Sequence, residues 1–245
     1  MNETEPPSVK LMDFQAGTTL LVDKPQGWTS FDVVNKIRHR LKRITGIKRI
    51  KVGHAGTLDP LATGLLIIGT GKFTKKLTDF QGLGKEYTGT FRLGGTTPSY
   101  DSETEVDHEF PYEHITPESL EAARQQFMGT IQQVPPMFSA IKVDGQPLYK
   151  RARKGEVIEI KARTVHIHEF ELTNIEPPDV SFRLQCSKGT YVRSLAHDMG
   201  QVLDSGAYLT ELRRTQVGDF RIEDAWNLEE LIEQLEERIM GMDVV

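Results

Sequence analysis

Residues 65–68, LLII, form an unbroken apolar run closed on both sides by Gly64 and Gly69. The segment LLIIGTG reads as a buried strand that ends in glycine. It is far too short to span a bilayer, and 245 residues suffice to bury a sizeable core around it. Upstream lies GHAGTLDPLATG, residues 53–64, with one carboxylate among glycine, proline and small residues. Pro60 pushes Asp59 away from helical backbone angles toward an extended conformation. Gly53, Gly56 and Gly64 permit turns and close backbone approach. The carboxylate therefore sits on a tight loop entering the buried strand. Two roles fit such an aspartate: a turn residue bonding its own loop's N–H groups, or a reactive group. On the loop alone the turn role fits better.

Strands and helices alternate irregularly along the rest of the chain. TTLLVDKP (18–25) reads as a strand ending in a loop. Ser30 is placed to cap a helix with Phe31, Val33, Val34, Ile37 and Leu41 on one face. KFTKKLTDF (72–80) reads as a short helix. KEYTGTFRLG (85–94) sets Tyr87, Gly89, Phe91 and Leu93 against polar neighbours, the period of a strand with one buried face. Thr116-Pro117 opens a helix that runs to about Met128. In residues 133–155 Pro135-Pro136 forbids regular structure, Asp144-Gly145 marks a turn, and a basic helix lies near the end. This reads as a projecting loop. Strands follow near 157–160, 164–171 and 180–186. Thr190 is placed to open a helix reaching Leu203, and Asn227 to cap an acidic C-terminal helix. The class expected is α+β, with a mixed, largely antiparallel sheet.

Charge and cysteine narrow the setting. The single cysteine, Cys186, excludes an intrachain disulfide, and the N-terminus lacks the basic start and apolar stretch of a signal peptide. A cytoplasmic location fits. Net charge is -5, yet KIRHRLKRITGIKRIK (36–51) contains no acid, and YKRARK (149–154) is a second basic run. Acids gather in DSETEVDHEF (101–110) and after Glu223. A chain that is acidic overall can still present a basic face to nucleic acid. Known cofactor motifs fail. Gly71-Lys72 is followed by Phe73, with Leu66 where a P-loop needs its first glycine. GTGKFT and GLGKEY lack a third glycine. No cysteine cluster, H-E-x-x-H or EF-hand spacing appears, and His54 with Asp59 makes only two metal-ligand types in one loop.

Six segments together resemble the bacterial tRNA pseudouridine synthases of the TruB family. They are VDKPQGWTSFDVV, GHAGTLDPLATG, KEYTGTFRLG, VPPMFSAIKVDGQPLYKRAR, CSKGTYVRSLAHDMG and GAYLTELRRTQVG, spread from about Leu21 to Phe220. The resemblance implies a pseudouridine synthase fold and the conversion of uridine to pseudouridine at position 55 in the T-loop of tRNA. It implies no cofactor and no metal. By the resemblance Asp59 is the catalytic nucleophile, and Arg193 pairs with it. Tyr87 packs against the target uracil. Tyr191 and Leu212 lie near the base, and His54 fills the space that the flipped base leaves.

The resemblance also implies an organisation. Residues 1–17 form an N-terminal tail and 18–245 one catalytic domain. A thumb-like insertion at about 130–155 clamps the T-arm, and an acidic helix covers about 227–240. No PUA-type RNA-binding domain has room to follow. The basic helix, through Lys36, Arg40, Lys42 and Arg43, is expected to supply RNA contacts in its place. The partner expected is tRNA alone, with no membrane, no obligate protein partner, and a monomeric state. Two other functions compete: a synthase acting on ribosomal RNA with guide RNA and partner proteins, and an RNA-binding module without activity. The PLATG ending of the loop argues against the first. The presence of Asp59, Tyr87 and Arg193 together argues against the second.

Overall fold

The computed structural model describes residues 9–143, 145–152, 154–156 and 158–243. These fall into two compact units: residues up to Lys85 together with those from Arg213 on, and Glu86–Leu212. The first unit opens with β1 (Thr19–Lys24), α1 (Ser30–Thr45), β2 (Val52–Ala55), β3 (Thr63–Thr70) and α2 (Leu77–Gly82). β4 (Lys85–Leu93) leads into the second unit. There follow β5 (Gly95–Thr96), β6 (His108–Glu109), α3 (Pro117–Gln125), β7 (Gly129–Gln133), β8 (Lys142–Val143) and β9 (Gln146–Pro147). The unit closes with α4 (Leu148–Ala152), β10 (Arg163–Glu176), β11 (Asp179–Cys186) and α5 (Val192–Val202). β12 (Ala207–Val217) returns the chain to the first unit, which ends in β13 (Phe220–Arg221), β14 (Trp226–Asn227) and α6 (Leu228–Asp243).

In the first unit β3 is paired along both edges. It runs antiparallel to β1 and β2 and parallel to β12 through Arg213↔Thr63 and Arg214↔Gly64. β14 joins β1 in parallel. The run LLII is the reason β3 takes this place. Its side chains alternate between two clusters. Leu66 and Ile68 join Leu20, Val22, the α1 residues Val33, Ile37 and Leu41, and the α6 residues Leu231 and Leu235. Leu65 and Ile67 join Ala55, Leu77 and Val217. A leucine or isoleucine buried in this way stabilises by roughly 1.5–3 kcal/mol. Val9 and Phe14 also enter the first cluster, and Arg238 donates to the carbonyls of Val9 and Met12.

In the second unit the strand order is β12-β4-β11-β10-β7, with β10 antiparallel to both β11 and β7. β11 alternates buried and half-buried residues along its length. Phe182 meets Phe91 and Phe170, with ring centroids 6.1 and 6.0 Å apart. α3 packs on α5 and on β10. The class is α+β with a mixed, largely antiparallel sheet, as the element order implied.

Several local expectations need correction. Thr29, not Ser30, caps α1: its hydroxyl accepts from the Asp32 N–H, and the Asp32 carboxylate accepts from the Thr29 N–H. That reciprocal capping box is the stronger arrangement. Phe31 points outward, 62% exposed. α3 begins at the Thr116 cap but stops at Gln125. α5 begins at Val192, later than Thr190. Residues 158–160 are irregular, not strand, and Val157 lies outside the described residues. So does Asp144, while Gly145 takes φ +79°. Asn227 does cap α6, accepting from the Glu229 N–H.

Candidate active site

Asp59 lies on the irregular stretch 56–62 between β2 and β3, half-buried. Three separate parts of the first unit brace the backbone around it. Ser30, buried at the start of α1, bonds both sides of residue 58: its hydroxyl donates to the Leu58 carbonyl at 3.0 Å and accepts from the Leu58 N–H at 2.8 Å. The Gly27 N–H donates to the Pro60 carbonyl at 2.8 Å. Arg214 donates through Nη2 to the Gly56 carbonyl at 3.1 Å and through Nε to the Leu65 carbonyl at 2.7 Å. Residues 56, 58, 60 and 65 are thus all tied, leaving Asp59 at the centre of a fixed arc. The Ala62 N–H closes the turn onto the Asp59 carbonyl.

Each brace has a physical origin. Gly27 adopts φ +79°, which an L side chain rarely tolerates. The fully buried Lys24 ammonium donates to the Pro25 and Trp28 carbonyls at 2.9 and 2.6 Å, holding the turn that carries Gly27. Gly64 takes φ +100°, and a Cβ there would fall 2.3 Å from the Arg214 carbonyl oxygen. Glycine is what lets the end of the loop run beside β12. Arg214 is 1% exposed. A buried guanidinium must find acceptors or its desolvation is not offset, and the loop carbonyls supply them.

His54, on β2, is paired opposite Ile68. Burial, with the nearby Arg214 charge as second cause, holds its imidazole below the usual range. The ring is therefore neutral at pH 7.

The other expected site residues belong to the second unit. Tyr87 is buried on β4, 8% exposed. Leu212 lies on β12, half-buried. Tyr191 directly precedes α5. Its backbone is clasped by the fully buried Gln133 amide: Tyr191 N–H to Oε1 at 2.7 Å, and Nε2 to the Tyr191 carbonyl at 3.0 Å. The Arg163 guanidinium lies over the Tyr191 ring, 4.7 Å from its centroid.

Arg193, 5% exposed, is the most tightly held of these side chains. Nη1 donates to the Ser99 carbonyl and Nη2 to the Phe138 carbonyl, both at 2.9 Å. Nε lies 3.4 Å from Oδ2 of Asp101, itself 1% exposed. The Asp101 carboxylate also accepts from the Ser99 hydroxyl and the Glu103 N–H. One turn of α5 is thereby anchored to 99–101 and to 134–138, where Ser194 also donates to the Val134 carbonyl.

Asp101 and Arg214 were not singled out in the sequence, and Ser30 was read as a helix cap rather than as a brace on the loop. Asp101 heads the acidic stretch DSETEVD, which reads as a solvated face. Arg214 sits in TELRRTQ with nothing local to mark it as buried. Of the basic helix, Arg40 donates through Nε and Nη2 to Glu236 of α6, at 3.0 and 2.7 Å. Lys42 and Arg43 are exposed, and Lys36 lies over the Trp28 ring. In the second basic run Arg151 pairs with Glu156, and Arg153 lies outside the described residues. Among the described residues no three His, Cys, Asp or Glu side chains converge to hold a metal ion, and no helix is long and apolar enough to cross a membrane.

The profile described as TruB family pseudouridylate synthase (N terminal domain) matches residues 42–192. The profile described as tRNA pseudouridylate synthase B C-terminal domain matches residues 193–242. The chain is 56% identical over 214 residues to tRNA pseudouridine synthase B of Flavobacterium johnsoniae, covering 87% of this chain and 93% of that one. It is 55% identical over 227 residues to the protein of the same name from Phocaeicola vulgatus, covering 93% and 97%. Among solved structures, one titled as a Cbf5-Nop10-Gar1 complex superposes with a TM-score of 0.70 at 30% identity. It covers 98% of this chain, which spans 61% of that one. With both profiles matched in order and more than half the residues identical to named relatives, the chain belongs to the TruB family of pseudouridylate synthases.

Proposed function

We propose that this chain converts uridine to pseudouridine at position 55 in the T-loop of tRNA, with Asp59 as the nucleophile. By family it is a pseudouridine synthase, an isomerase. The observation that carries the finer reading is the bracing of the backbone on both sides of Asp59. A turn aspartate is held by its own local bonds and needs no such frame. A carboxylate that must meet one atom of a bound nucleotide does, because a displacement of about 1 Å can cost on the order of 10²-fold in rate.

The reaction breaks the N1–C1′ bond, turns the freed uracil, and joins C5 to C1′. The proton on C5 is lost and N1 gains one, so composition and redox state do not change. Asp59 serves it by adding to C1′ or to the uracil ring as a covalent nucleophile, or by taking the C2′ proton to give a glycal.

Unstacking the target base costs a few kcal/mol. Stacking on Tyr87 returns about 1–3 kcal/mol. Tyr191 and Leu212 complete the base pocket, and Arg193 acts as counter-ion to the reacting carboxylate. The neutral His54 ring is suited to the space the base vacates, since it carries no charge to desolvate there. The insertion at about 130–155 acts as a thumb on the T-arm. Lys36, Lys42, Arg43 and the 149–154 run meet phosphates, which positions RNA without reading bases.

The chain acts in the cytoplasm as a monomer, with tRNA as substrate and no protein partner, guide RNA, metal or cofactor. Tritium release from C5-labelled, unmodified tRNA by the purified chain tests this. Release is expected, and it is expected to vanish when the target uridine is replaced. Activity only on ribosomal RNA fragments, or only with added guide RNA or protein, would overturn this reading.

A further inference from the structure

Tyr100 stands between Ser99 and Asp101, two of the three residues whose oxygens hold Arg193, and it is conformationally unusual. Its φ is +64°, a left-handed geometry uncommon for an aromatic residue and unfavourable for its backbone. Such a bend persists only where surrounding contacts over-determine it. The backbone contacts here are the Tyr100 N–H to the Thr97 carbonyl and the Leu209 N–H to the Tyr100 carbonyl, at 3.1 and 3.0 Å. The side-chain contact is larger. The Tyr100 ring lies flat on the His197 imidazole, centroids 3.9 Å apart and planes 10° from parallel. His197 is one helical turn beyond Arg193 on α5, so both project from the same face. Its buried Nδ1 makes no hydrogen bond among the described residues. Burial also keeps the imidazole neutral.

The bend has a geometric consequence. With Tyr100 left-handed, the Ser99 carbonyl and the Asp101 carboxylate both turn toward one guanidinium. From this we propose that Tyr100 and His197 are positioning residues for turnover: their stack holds the bend that aims Ser99 and Asp101 at Arg193, and so sets the orientation of the Arg193 guanidinium. The inference rests on the reading that Arg193 serves the reacting carboxylate.

The test compares Tyr100→Ala and His197→Gln with the ring-preserving Tyr100→Phe and His197→Phe. Each is assayed for single-turnover pseudouridine formation and for KM with unmodified tRNA. Expected is a fall of about ten- to a hundredfold in the turnover rate for the first pair, equivalent to about 1.4–2.8 kcal/mol. KM should stay within about twofold, and the second pair should remain near wild type. A lower melting temperature with unchanged turnover in both Tyr100→Ala and His197→Gln would make the stack merely structural and overturn the inference. Should Tyr100→Ala fail to fold, His197→Gln alone decides, because its side chain is only half-buried.

Combination with Arg193→Lys adds a second criterion. If the stack acts through the guanidinium, Tyr100→Ala should cost much less in that background. Full additivity overturns the inference. Full turnover in Arg193→Ala would overturn the reading of Arg193, and the inference with it. Loss in Arg193→Ala with full turnover in both stack variants would overturn the inference alone.

Discussion

The loop around Asp59 and the turn around Arg193 are each rigid, but by opposite means. The Asp59 loop is braced through its main chain: carbonyls at 56, 58, 60 and 65 and one N–H at 58 carry the braces. Arg193 is held by its side chain, with every guanidinium nitrogen directed at Ser99, Phe138 or Asp101. A reacting group is best fixed through its backbone, because bonds to a carboxylate's own oxygens would compete with substrate. A supporting cation is best fixed at its charge, because a buried guanidinium left unpaired is costly.

Substitutions can separate these two modes. The largest effect belongs to the reacting group. Asp59→Asn should retain tRNA binding and lose activity by roughly 10⁴-fold or more, measured by tritium release; turnover near wild type would remove Asp59 from its role. Next, Asp101→Ala strips the buried partner of Arg193 and should cost about 3–5 kcal/mol in stability, read from urea denaturation. Gly64→Ala forces a Cβ into the Arg214 backbone at a positive φ, and about 2–5 kcal/mol is expected. A smaller penalty there would mean that β12 can slide away from the loop.

Ser30→Ala leaves the buried Leu58 N–H and carbonyl without the hydroxyl, a loss of about 1–3 kcal/mol. Turnover should fall with it, since the loop rather than the core is loosened; a stability loss with full turnover would separate loop order from catalysis.

A pH dependence belongs to α5. Burial raises the Asp198 carboxyl from 3.8 to about 6. The folded state therefore binds this proton more tightly than the unfolded chain. The carboxyl costs nothing below about pH 3.8, destabilises increasingly as pH rises through 6, and then levels off. Asp198→Asn should accordingly raise the melting temperature at pH 7 and leave it unchanged near pH 4. An equal gain at both values would assign the effect to packing instead of ionisation.

Much of the Asp59 loop was legible in the chain. Asp59-Pro60, the flanking glycines and the apolar run after them are local signals, each acting through backbone angles or side-chain period within a few residues. The strand at 63–70 and the buried face of β4 followed from the same kind of signal. Thr29 was missed as the α1 cap because Thr and Ser are adjacent and either can serve; only the Leu58 contact decided that Ser30 was engaged elsewhere. Arg40 looked like part of an RNA-facing helix until Glu236, 196 residues away, proved to be its partner. Asp101 was hidden for the opposite reason: an acid in an acidic run looks solvated, and its burial depends on a guanidinium from α5.

By itself the sequence determined where the chain must turn, which strand is buried, and which single carboxylate is set on a stiff loop. Those outcomes rest on short-range sterics and on hydrophobic period, which are properties of neighbours in the chain. Tertiary structure decided which charges lose their water and which oxygens receive them. Gly56 meets Arg214 across 158 positions, and Ser99 meets Arg193 across 94. Residues so far apart carry no local mark of each other, and whether a charge is buried is known only once the surface that covers it has folded.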